Sequence, residues 1–396
     1  MKKRVVLHFP GFEPLDAERH RTRYERAMQK TAELWGLNAR IDALCHEPSR
    51  PYFDIETSRP GDAWQTSTRF FVFDHGAIVD HLSDRPMLTR IAQGFRSAAA
   101  VVLEGGAFGY FRHAWRFGLF FIFPFLLVAL ALAISAALAT YPLWLGLGLW
   151  QLPVGIALGY LFFVKLFIPW SGRFHTLHLF SDWEMAVAVS RLDDLMVNDW
   201  IEAAAQSARQ AFELDADEYV VSSHSMGSSM AAHTVGLLLE REPGLLDGKQ
   251  VVFVTLGGAT LQCALLRSAT ALRARVGAIA YAKNIIWFEV QCLTDVISFY
   301  KSPVMGLTGH AEAPQPRLVF IRLRNMLSAE RYRKVKLDFL RVHRQYVMAS
   351  DRRTNFDFGL MTAGPLPAEY MERSLGDWPP EDELLVSARD TDLKKA

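Results

Sequence analysis

Residues 218–240 read EYVVSSHSMGSSMAAHTVGLLLE, and this stretch decides the fold. Residues 218–222 form a compact run rich in valine that is typical of a buried strand, and residues 228–240 predict a helix. Only the five residues 223–227, most of them small, separate the two. The stretch therefore predicts a strand that passes through a tight turn directly into a helix.

The same alternation of strands and helices extends to both sides of this unit. Strands rich in Val, Ile and Phe that alternate with helices favour a mainly parallel sheet with helices on both faces. We therefore predict the α/β fold class. The predicted strands are 4–9, 39–43, 69–73, 251–256, 285–290 and 317–323, and the predicted helices are 15–34, 182–212 and 261–275.

An apolar segment interrupts this pattern between residues 117 and 164, where no Asp, Glu, Lys, Arg or His occurs. Because a membrane-spanning helix needs about 20 apolar residues, the segment predicts two helices, 117–139 and 145–168, with a turn at 140–142. The alternative is a buried helical hairpin of a soluble fold. Basic residues flank the segment but not its turn, so the positive-inside rule places both flanks in the cytoplasm. These residues are Arg112, Arg116, Lys165 and Arg173.

Four parts follow along the chain. Residues 1–110 and 171–364 are expected to form the two halves of the α/β domain, and residues 111–170 a transmembrane hairpin between them. Residues 365–396, rich in proline and acidic residues, predict a disordered tail. The first apolar run is too short for a signal peptide, so it predicts a cytoplasmic strand. We expect an integral membrane protein with two spanning helices and both termini in the cytoplasm, as in a bacterial inner membrane.

Composition and motifs argue against several partner classes. A formal net charge of +1 provides no basic field for nucleic acid. The three cysteines are scattered, which predicts reduced thiols. The chain has no GxGxxG, GxxxxGK[ST] or HExxH motif for nucleotide or zinc-protease chemistry. Two loose groups, His175 with His178 and Asp74 with His75 and His81, lack a convincing third or fourth ligand, so we expect no metal and no cofactor.

The turn Ser223-His224-Ser225-Met226-Gly227 is the candidate centre of chemistry. A serine nucleophile on a strained strand-to-helix turn needs small residues two positions before and after it, because the two backbones approach closely there. Ser223 and Gly227 meet that requirement around Ser225. The alternative is a cluster of serines that cap the helix N-terminus.

This turn resembles the nucleophile elbow of the α/β-hydrolase family, in particular its lipase-like members, where the elbow often reads Gly-His-Ser-Met-Gly. The chain differs at Ser223, where the commoner residue is Gly. The resemblance covers most of the chain outside the apolar segment and the tail, as strand order and short motifs. It implies an α/β-hydrolase fold with Ser225 as the nucleophile, followed along the chain by an acid and then a histidine.

The resemblance also implies where the acid and the histidine lie. It places the acid after one of the two strands that follow the nucleophile, and no Asp or Glu occurs between Asp247 and Glu289. The implied acid is therefore Asp295, in the loop after the second of these strands, with Glu289 ranked second. The histidine should follow the last strand, where only His343 remains. Alternatively, Asp295 is a turn or capping residue and His343 is solvated among arginines.

The family's oxyanion hole uses the N–H after the nucleophile and one N–H from a loop after an early strand. The first is Met226. Residues 5–12, VVLHFPGF, fit the loop, with Phe12 as the preferred donor and Gly11 as the second choice. An ordinary Pro-Gly turn would give the same pattern.

The resemblance thus implies a membrane-anchored serine hydrolase that cleaves lipid or acyl esters. His343 would take the proton of Ser225, Asp295 would fix the imidazole tautomer, and water would release the acyl group. The expected partners are an ester substrate and the bilayer, and the sequence leaves the oligomeric state open. An acyltransferase or thioesterase would use the same triad, and a non-catalytic membrane protein built on the same scaffold is the alternative from another class.

Overall fold

The computed structural model describes residues 1–46, 50–61 and 64–370. The strands of this described part are β1 (Lys2–Phe9), β2 (Asn38–Ile41), β3 (Cys45–His46), β4 (Pro51–Ser58), β5 (Gln65–Val72), β6 (Glu218–His224), β7 (Val251–Leu256), β8 (Ile285–Cys292) and β9 (Arg317–Ile321). They form a single sheet in the order β2-β4-β5-β1-β6-β7-β8-β9, with β3 also paired to β4. The six strands from β5 to β9 in this order are parallel. The predicted α/β class with a mainly parallel sheet is confirmed.

The sequence-based prediction missed the antiparallel edge of the sheet. β4 pairs antiparallel with β5 on one side and with β2 and β3 on the other. Only every second residue of β4 is buried, Phe53, Ile55 and Thr57. Its pattern is therefore weaker than that of the fully buried β6 and β7, and its first residue is a proline, which argues against a central strand.

Helices cover both faces of the sheet, as predicted, and enclose two hydrophobic cores. Because side chains alternate along a strand, Val5 and Leu7 of β1 point into one core and Val6 into the other. The helices of the larger core are Gly76–Ser83, Met87–Leu103, Gly106–His113, Thr176–Arg191, Leu195–Glu213, Gly227–Arg241, Thr260–Ala264, Thr270–Tyr281 and Val304–Leu307. The helices of the smaller core are Ala17–Trp35, Leu323–Met326, Ala329–Val335 and Phe358–Ala363. Helix Phe339–His343 lies where the cores meet, with Leu340 in the larger core and Val342 in the smaller.

The stretch 182–212, predicted as one helix, contains the end of one helix and the start of another. The first ends at Arg191, where Leu192 adopts a left-handed φ of 54°. Asp194 then caps the second, because its side chain accepts a hydrogen bond of 3.0 Å from the N–H of Val197. The helix predicted at 261–275 is likewise divided into Thr260–Ala264 and Thr270–Tyr281.

Two long apolar helical segments, Trp115–Trp144 and Leu149–Phe174, form a hairpin in the connection from β5 to β6. We call residues 115–174 the apolar hairpin. The turn predicted at 140–142 is wrong, because the first helix continues through Pro142. The chain reverses only at 145–148, where Gly146 adopts a positive φ of 66° that other residues rarely take.

The two segments of the apolar hairpin pack closely through glycines. The Ser135 hydroxyl donates a hydrogen bond of 2.7 Å to the carbonyl of Gly159. A Cβ atom on Gly155 would lie 2.5 Å from the carbonyl oxygen of Ala139, so a larger residue would push the helices apart. This small-residue contact is the kind that joins helices in an apolar environment.

Both segments are long and apolar enough to cross a membrane. The base of the first packs into the larger core through Phe117, Phe121 and Val128. Farther out, the apolar side chains are exposed, with 60% of Leu130 and 76% of Trp144 accessible. Only 44% of the most apolar stretch of the first segment and 22% of that of the second are buried. The apolar hairpin is therefore anchored in the α/β core and presents an apolar outer surface.

The ordered chain continues past residue 364. Arg4 donates a hydrogen bond of 2.6 Å to the carbonyl of Leu366, and the N–H of Ala368 donates one of 3.0 Å to Glu218. These contacts hold residues 366–368 against the β1 and β6 side of the sheet. The predicted tail lies outside the described residues from residue 371 onward.

Candidate active site

Ser225 occupies a strained turn between β6 and the helix that follows it. Its φ is 53°, in the left-handed region that costs a non-glycine residue about 1–2 kcal/mol. A Cβ atom on Gly227 would overlap the carbonyl oxygens of Phe9 and Pro10, so only glycine fits there. Ser223 is fully buried, and its hydroxyl donates a hydrogen bond of 3.0 Å to the carbonyl of Val254. The turn therefore has the small residues that the sequence analysis required.

Asp295 and His343 are hydrogen-bonded to each other. Asp295 follows β8, and its Oδ2 accepts a bond of 2.8 Å from Nδ1 of His343. Its other oxygen, Oδ1, accepts a bond of 3.0 Å from the N–H of Ile297. Because a carboxylate only accepts, Nδ1 must carry the proton, and in a neutral imidazole Nε2 is then left as the basic nitrogen.

His343 lines the pocket that also contains Ser225. The His343 side chain is buried, and among the described residues its Nε2 has no hydrogen-bond partner. Ser225 and His343 therefore share the pocket without a direct hydrogen bond between them in this conformation. Such bonds are often formed only when substrate is bound.

His224 contacts both the backbone and the ring of His343. Its Nε2 is hydrogen-bonded at 3.0 Å to the backbone carbonyl of His343, and the two ring centroids are 4.7 Å apart. Burial lowers the pKa of His224 to about 3, so its ring is neutral at physiological pH. His224 therefore donates to the carbonyl and fixes the backbone position of His343.

Gly11 brings the loop after β1 against the nucleophile. A Cβ atom on Gly11 would lie 3.1 Å from Cβ of Ser225 and 2.9 Å from Nδ1 of His224, so the close approach depends on glycine. Phe12 is the next residue along the pocket wall, and Met226 directly follows Ser225. Within the described part of the chain, the N–H groups of Phe12 and Met226 have no protein acceptor. Met226 is thus the chain neighbour of Ser225, Phe12 lines the same pocket, and the described protein groups leave both N–H groups unused.

Ser225, His343, His224, Gly11 and Phe12 line one pocket, and Asp295 joins them through its bond to His343, whereas Glu289 does not. Glu289 lies within β8, is buried, and does not line the pocket. Burial raises the pKa of its carboxyl to about 7. The carboxyl that contacts His343 is that of Asp295.

The segment between β9 and His343 is longer than a simple loop. Helices Leu323–Met326 and Ala329–Val335 occupy it, and helix Phe339–His343 then delivers the histidine. Asp351 holds the segment, because it accepts hydrogen bonds from Arg331 at 2.7 Å and from the N–H of Ser328 at 2.9 Å. The added helices bring the chain back to Asp295.

Sequence reasoning missed Tyr346, which completes the surroundings of Asp295. Its hydroxyl donates a hydrogen bond of 3.0 Å to Oδ2 of Asp295 and accepts one of 2.9 Å from the N–H of Cys292. Burial raises the pKa of Tyr346 well above its ordinary value, so the hydroxyl stays protonated. The only sequence signal is its position one turn after His343, which many tyrosines share.

The wall of the pocket also contains polar residues that sequence reasoning missed. Its interior offers about 30 Å³ to water-sized molecules. Burial raises the pKa of Asp182 to about 6, although Gln262 donates a hydrogen bond of 3.1 Å to it. The lining residues apart from Ser225, His343, His224, Gly11 and Phe12 are Glu13, Phe120, His178, Leu179, Asp182, Gln262, Ile297, Leu340 and Arg344.

Glu13 and Arg344 form an ion pair of 2.7 Å at the pocket wall. Although burial acts to raise it, Arg23 and Arg344 hold the pKa of Glu13 well below its ordinary value. Glu13 is therefore ionised and fixes Arg344 beside the pocket.

No protein-family model, curated protein or solved structure matches the chain significantly. Within residues 1–46, 50–61 and 64–370, no group of three or more His, Cys, Asp or Glu side chains could hold a metal ion.

Proposed function

We propose that the protein is a serine hydrolase of the α/β-hydrolase type that cleaves carboxylic esters through an acyl-enzyme at Ser225. The observation that carries this proposal is the buried hydrogen bond of 2.8 Å between Asp295 and His343, in the pocket that contains a serine at positive φ. A serine, a histidine with a free basic nitrogen and a carboxylate behind it are the parts of a nucleophilic acyl-transfer site.

In this mechanism the Ser225 hydroxyl attacks the ester carbonyl while Nε2 of His343 takes its proton. Asp295 stabilises the imidazolium that forms, and the N–H groups of Met226 and Phe12 stabilise the oxyanion. His343 then protonates the leaving alcohol. Water, deprotonated by His343, attacks the acyl-enzyme and releases the carboxylic acid and free Ser225.

We infer that the apolar hairpin is a transmembrane anchor that holds this pocket at the cytoplasmic membrane surface. Its length, its exposed apolar side chains and its glycine packing support this inference. Arg112, Arg116 and Arg173 at its base, with an uncharged turn, favour a cytoplasmic α/β domain. The substrate of an enzyme in this position is a lipid or another acyl ester.

Hydrolysis of p-nitrophenyl butyrate by the detergent-purified full chain tests the function. Ser225→Ala should lower kcat by about a thousandfold or more, because no other group replaces the nucleophile. Ser229→Ala is the matched control, since Ser229 is a buried serine of the helix that follows Ser225 and does not line the pocket. Equal turnover by Ser225→Ala and the parent would rule out this nucleophile.

A further inference from the structure

A second cavity lies at the base of the apolar hairpin. It holds about 500 Å³ for water-sized molecules, far more than the pocket around Ser225. Every lining residue except Arg116 is apolar. The lining residues are Trp115, Arg116, Leu119, Phe120, Phe123, Phe174, Val296 and Phe339, and we call this cavity the apolar groove.

The apolar groove is built partly from the segments that carry the candidate catalytic residues. Val296 directly follows Asp295, and Phe339 begins the helix that ends at His343. The remaining walls come from both ends of the apolar hairpin. The groove therefore joins the hairpin to the catalytic segments, and its position relative to Ser225 is fixed by the same elements that fix the triad.

Phe120 is shared by the apolar groove and the pocket of Ser225. It lines both cavities and is only 5% exposed. Its ring centroid lies 5.6 Å from that of Phe339 and 6.4 Å from that of Trp183. Phe120 thus contributes to the walls of both the small pocket that contains the nucleophile and the larger apolar space.

The chemistry of the groove selects a hydrocarbon ligand. Arg116 is its only charged residue, and that side chain donates a hydrogen bond of 2.7 Å to the carbonyl of Leu293. A polar ligand would therefore lose its hydrogen bonds with water and gain few in return, whereas a hydrocarbon chain gains by leaving water. Trp115 and Leu119 are 59% and 49% exposed, so the groove opens at the surface where the hairpin begins.

We propose that the apolar groove binds the hydrocarbon chain of a long-chain acyl ester whose carbonyl group reaches Ser225 past Phe120. This inference rests on the proposed function and names its substrate class. The groove is continuous with the exposed apolar surface of the hairpin, so the chain enters from the bilayer without crossing water. Phe120 moves aside as the chain binds, because its buried ring lines both the apolar groove and the pocket of Ser225.

A series of p-nitrophenyl esters tests the groove, with the ratio of kcat/KM for dodecanoate to that for butyrate as the readout. In the parent we expect kcat/KM to rise by up to about fourfold for each added methylene that the groove buries. Leu119→Trp fills the groove and should lower the ratio at least about tenfold. Leu126→Trp is the matched control, because Leu126 is an exposed leucine of the same helix outside the groove.

The outcomes separate the two proposals. If kcat/KM does not change with chain length while turnover still depends on Ser225, the groove does not bind the acyl chain. The proposed hydrolase activity would then stand without it. An equal fall of the ratio in both leucine variants would also overturn binding in the groove, because the effect would then belong to the membrane surface. The expected result is a fall in Leu119→Trp alone.

A second measurement does not depend on turnover. Dodecanoic acid with a terminal diazirine is photolysed with the full chain in lipid nanodiscs, and the labelled peptides are identified by mass spectrometry. We expect adducts on the lining residues of the groove in the parent and in Leu126→Trp, and their loss in Leu119→Trp. Adducts confined to the outer part of the apolar hairpin, with none at Val296 or Phe339, would show that the groove does not bind the hydrocarbon chain. This result would hold whether or not the protein hydrolyses esters.

Discussion

At the scale of single residues, the candidate site depends on a carboxylate held by three donors. Asp295 accepts hydrogen bonds from His343, Tyr346 and the N–H of Ile297. These bonds fix the carboxylate, and the carboxylate in turn fixes which nitrogen of His343 is basic. A turn or capping aspartate would need only the bond from Ile297, so the other two bonds are the ones that favour a catalytic role.

Tyr346→Phe tests how far that carboxylate depends on its neighbours. The exchange removes a hydrogen bond to Asp295 and leaves the N–H of Cys292 without its acceptor. We expect the free energy of unfolding to fall by about 1–3 kcal/mol and kcat on butyrate esters to fall about tenfold. Thermal melting and initial rates measure the two effects. An unchanged kcat would mean that Tyr346 stabilises the fold but does not position the triad.

The buried carboxyl of Asp182 predicts how the stability of the protein depends on pH. Burial raises its pKa in the folded protein to about 6, above the ordinary value of 3.8, so the folded state favours the protonated form. The parent therefore loses stability as pH rises from about 4 through 6, and the loss is complete above that range. Asp182→Asn retains an acceptor for Gln262 and does not ionise.

We expect Asp182→Asn to match the parent in stability near pH 4 and to exceed it by about 2 kcal/mol near pH 7. Chemical denaturation of both proteins across that pH range measures the difference in their free energies of unfolding and checks that it grows as pH rises. A difference that does not change with pH would show that Asp182 titrates normally.

At the scale of elements, the turn at Ser225 depends on contact between a helix and β1. Gly227→Ala would place a methyl group against the carbonyl oxygens of Phe9 and Pro10, and we expect a loss of about 3 kcal/mol or more of stability. Gly172→Ala is the control, because a Cβ atom there meets nothing within 4 Å. Similar melting temperatures for the two variants would contradict the close packing.

The glycine contact in the apolar hairpin makes a prediction of its own. Gly159→Leu would drive its side chain into the backbone at Ser135, whereas Ala157→Leu places the same side chain on an exposed face. We expect only the first to separate the two helical segments. Spin labels on exposed positions of the two segments, at Leu130 and Tyr160, report the distance between them. We expect the same label distance in the parent background and in Ala157→Leu, and a longer one in Gly159→Leu. Equal distances in all three would mean that the glycines do not set the spacing of the helices.

At the scale of the whole molecule, the sequence predicted the central sheet well and its edge poorly. β6, β7 and most of β1 and β8 are buried on both faces, so their apolar runs are continuous and easy to recognise. β4 is buried on one face only, and its pairing with β5 depends on the tertiary fold. The break between two helices at Leu192 was not predicted, because the helical periodicity of the apolar residues continues through that position.

The candidate site was predictable where chemistry and order along the chain restrict the choice. Ser225 has a local motif, and the order of residues in the α/β-hydrolase family implied Asp295, ahead of Glu289, and His343. Asp182 and Arg344 at the pocket and Tyr346 at Asp295 have no local motif, since they reach these places only through the packing of helices from separate parts of the chain. The relation of the apolar hairpin to the pocket through Phe120 likewise exists only in three dimensions.

The central claim is that Ser225 is a nucleophile activated by His343. Labelling of the detergent-purified full chain with a fluorophosphonate, which reacts with activated serines, tests it most directly. We predict labelling at Ser225 in the parent, none in Ser225→Ala, and a rate at least about a thousandfold lower in a folded His343→Ala variant. A folded parent that is not labelled, or labelling that persists unchanged in His343→Ala, would contradict the account.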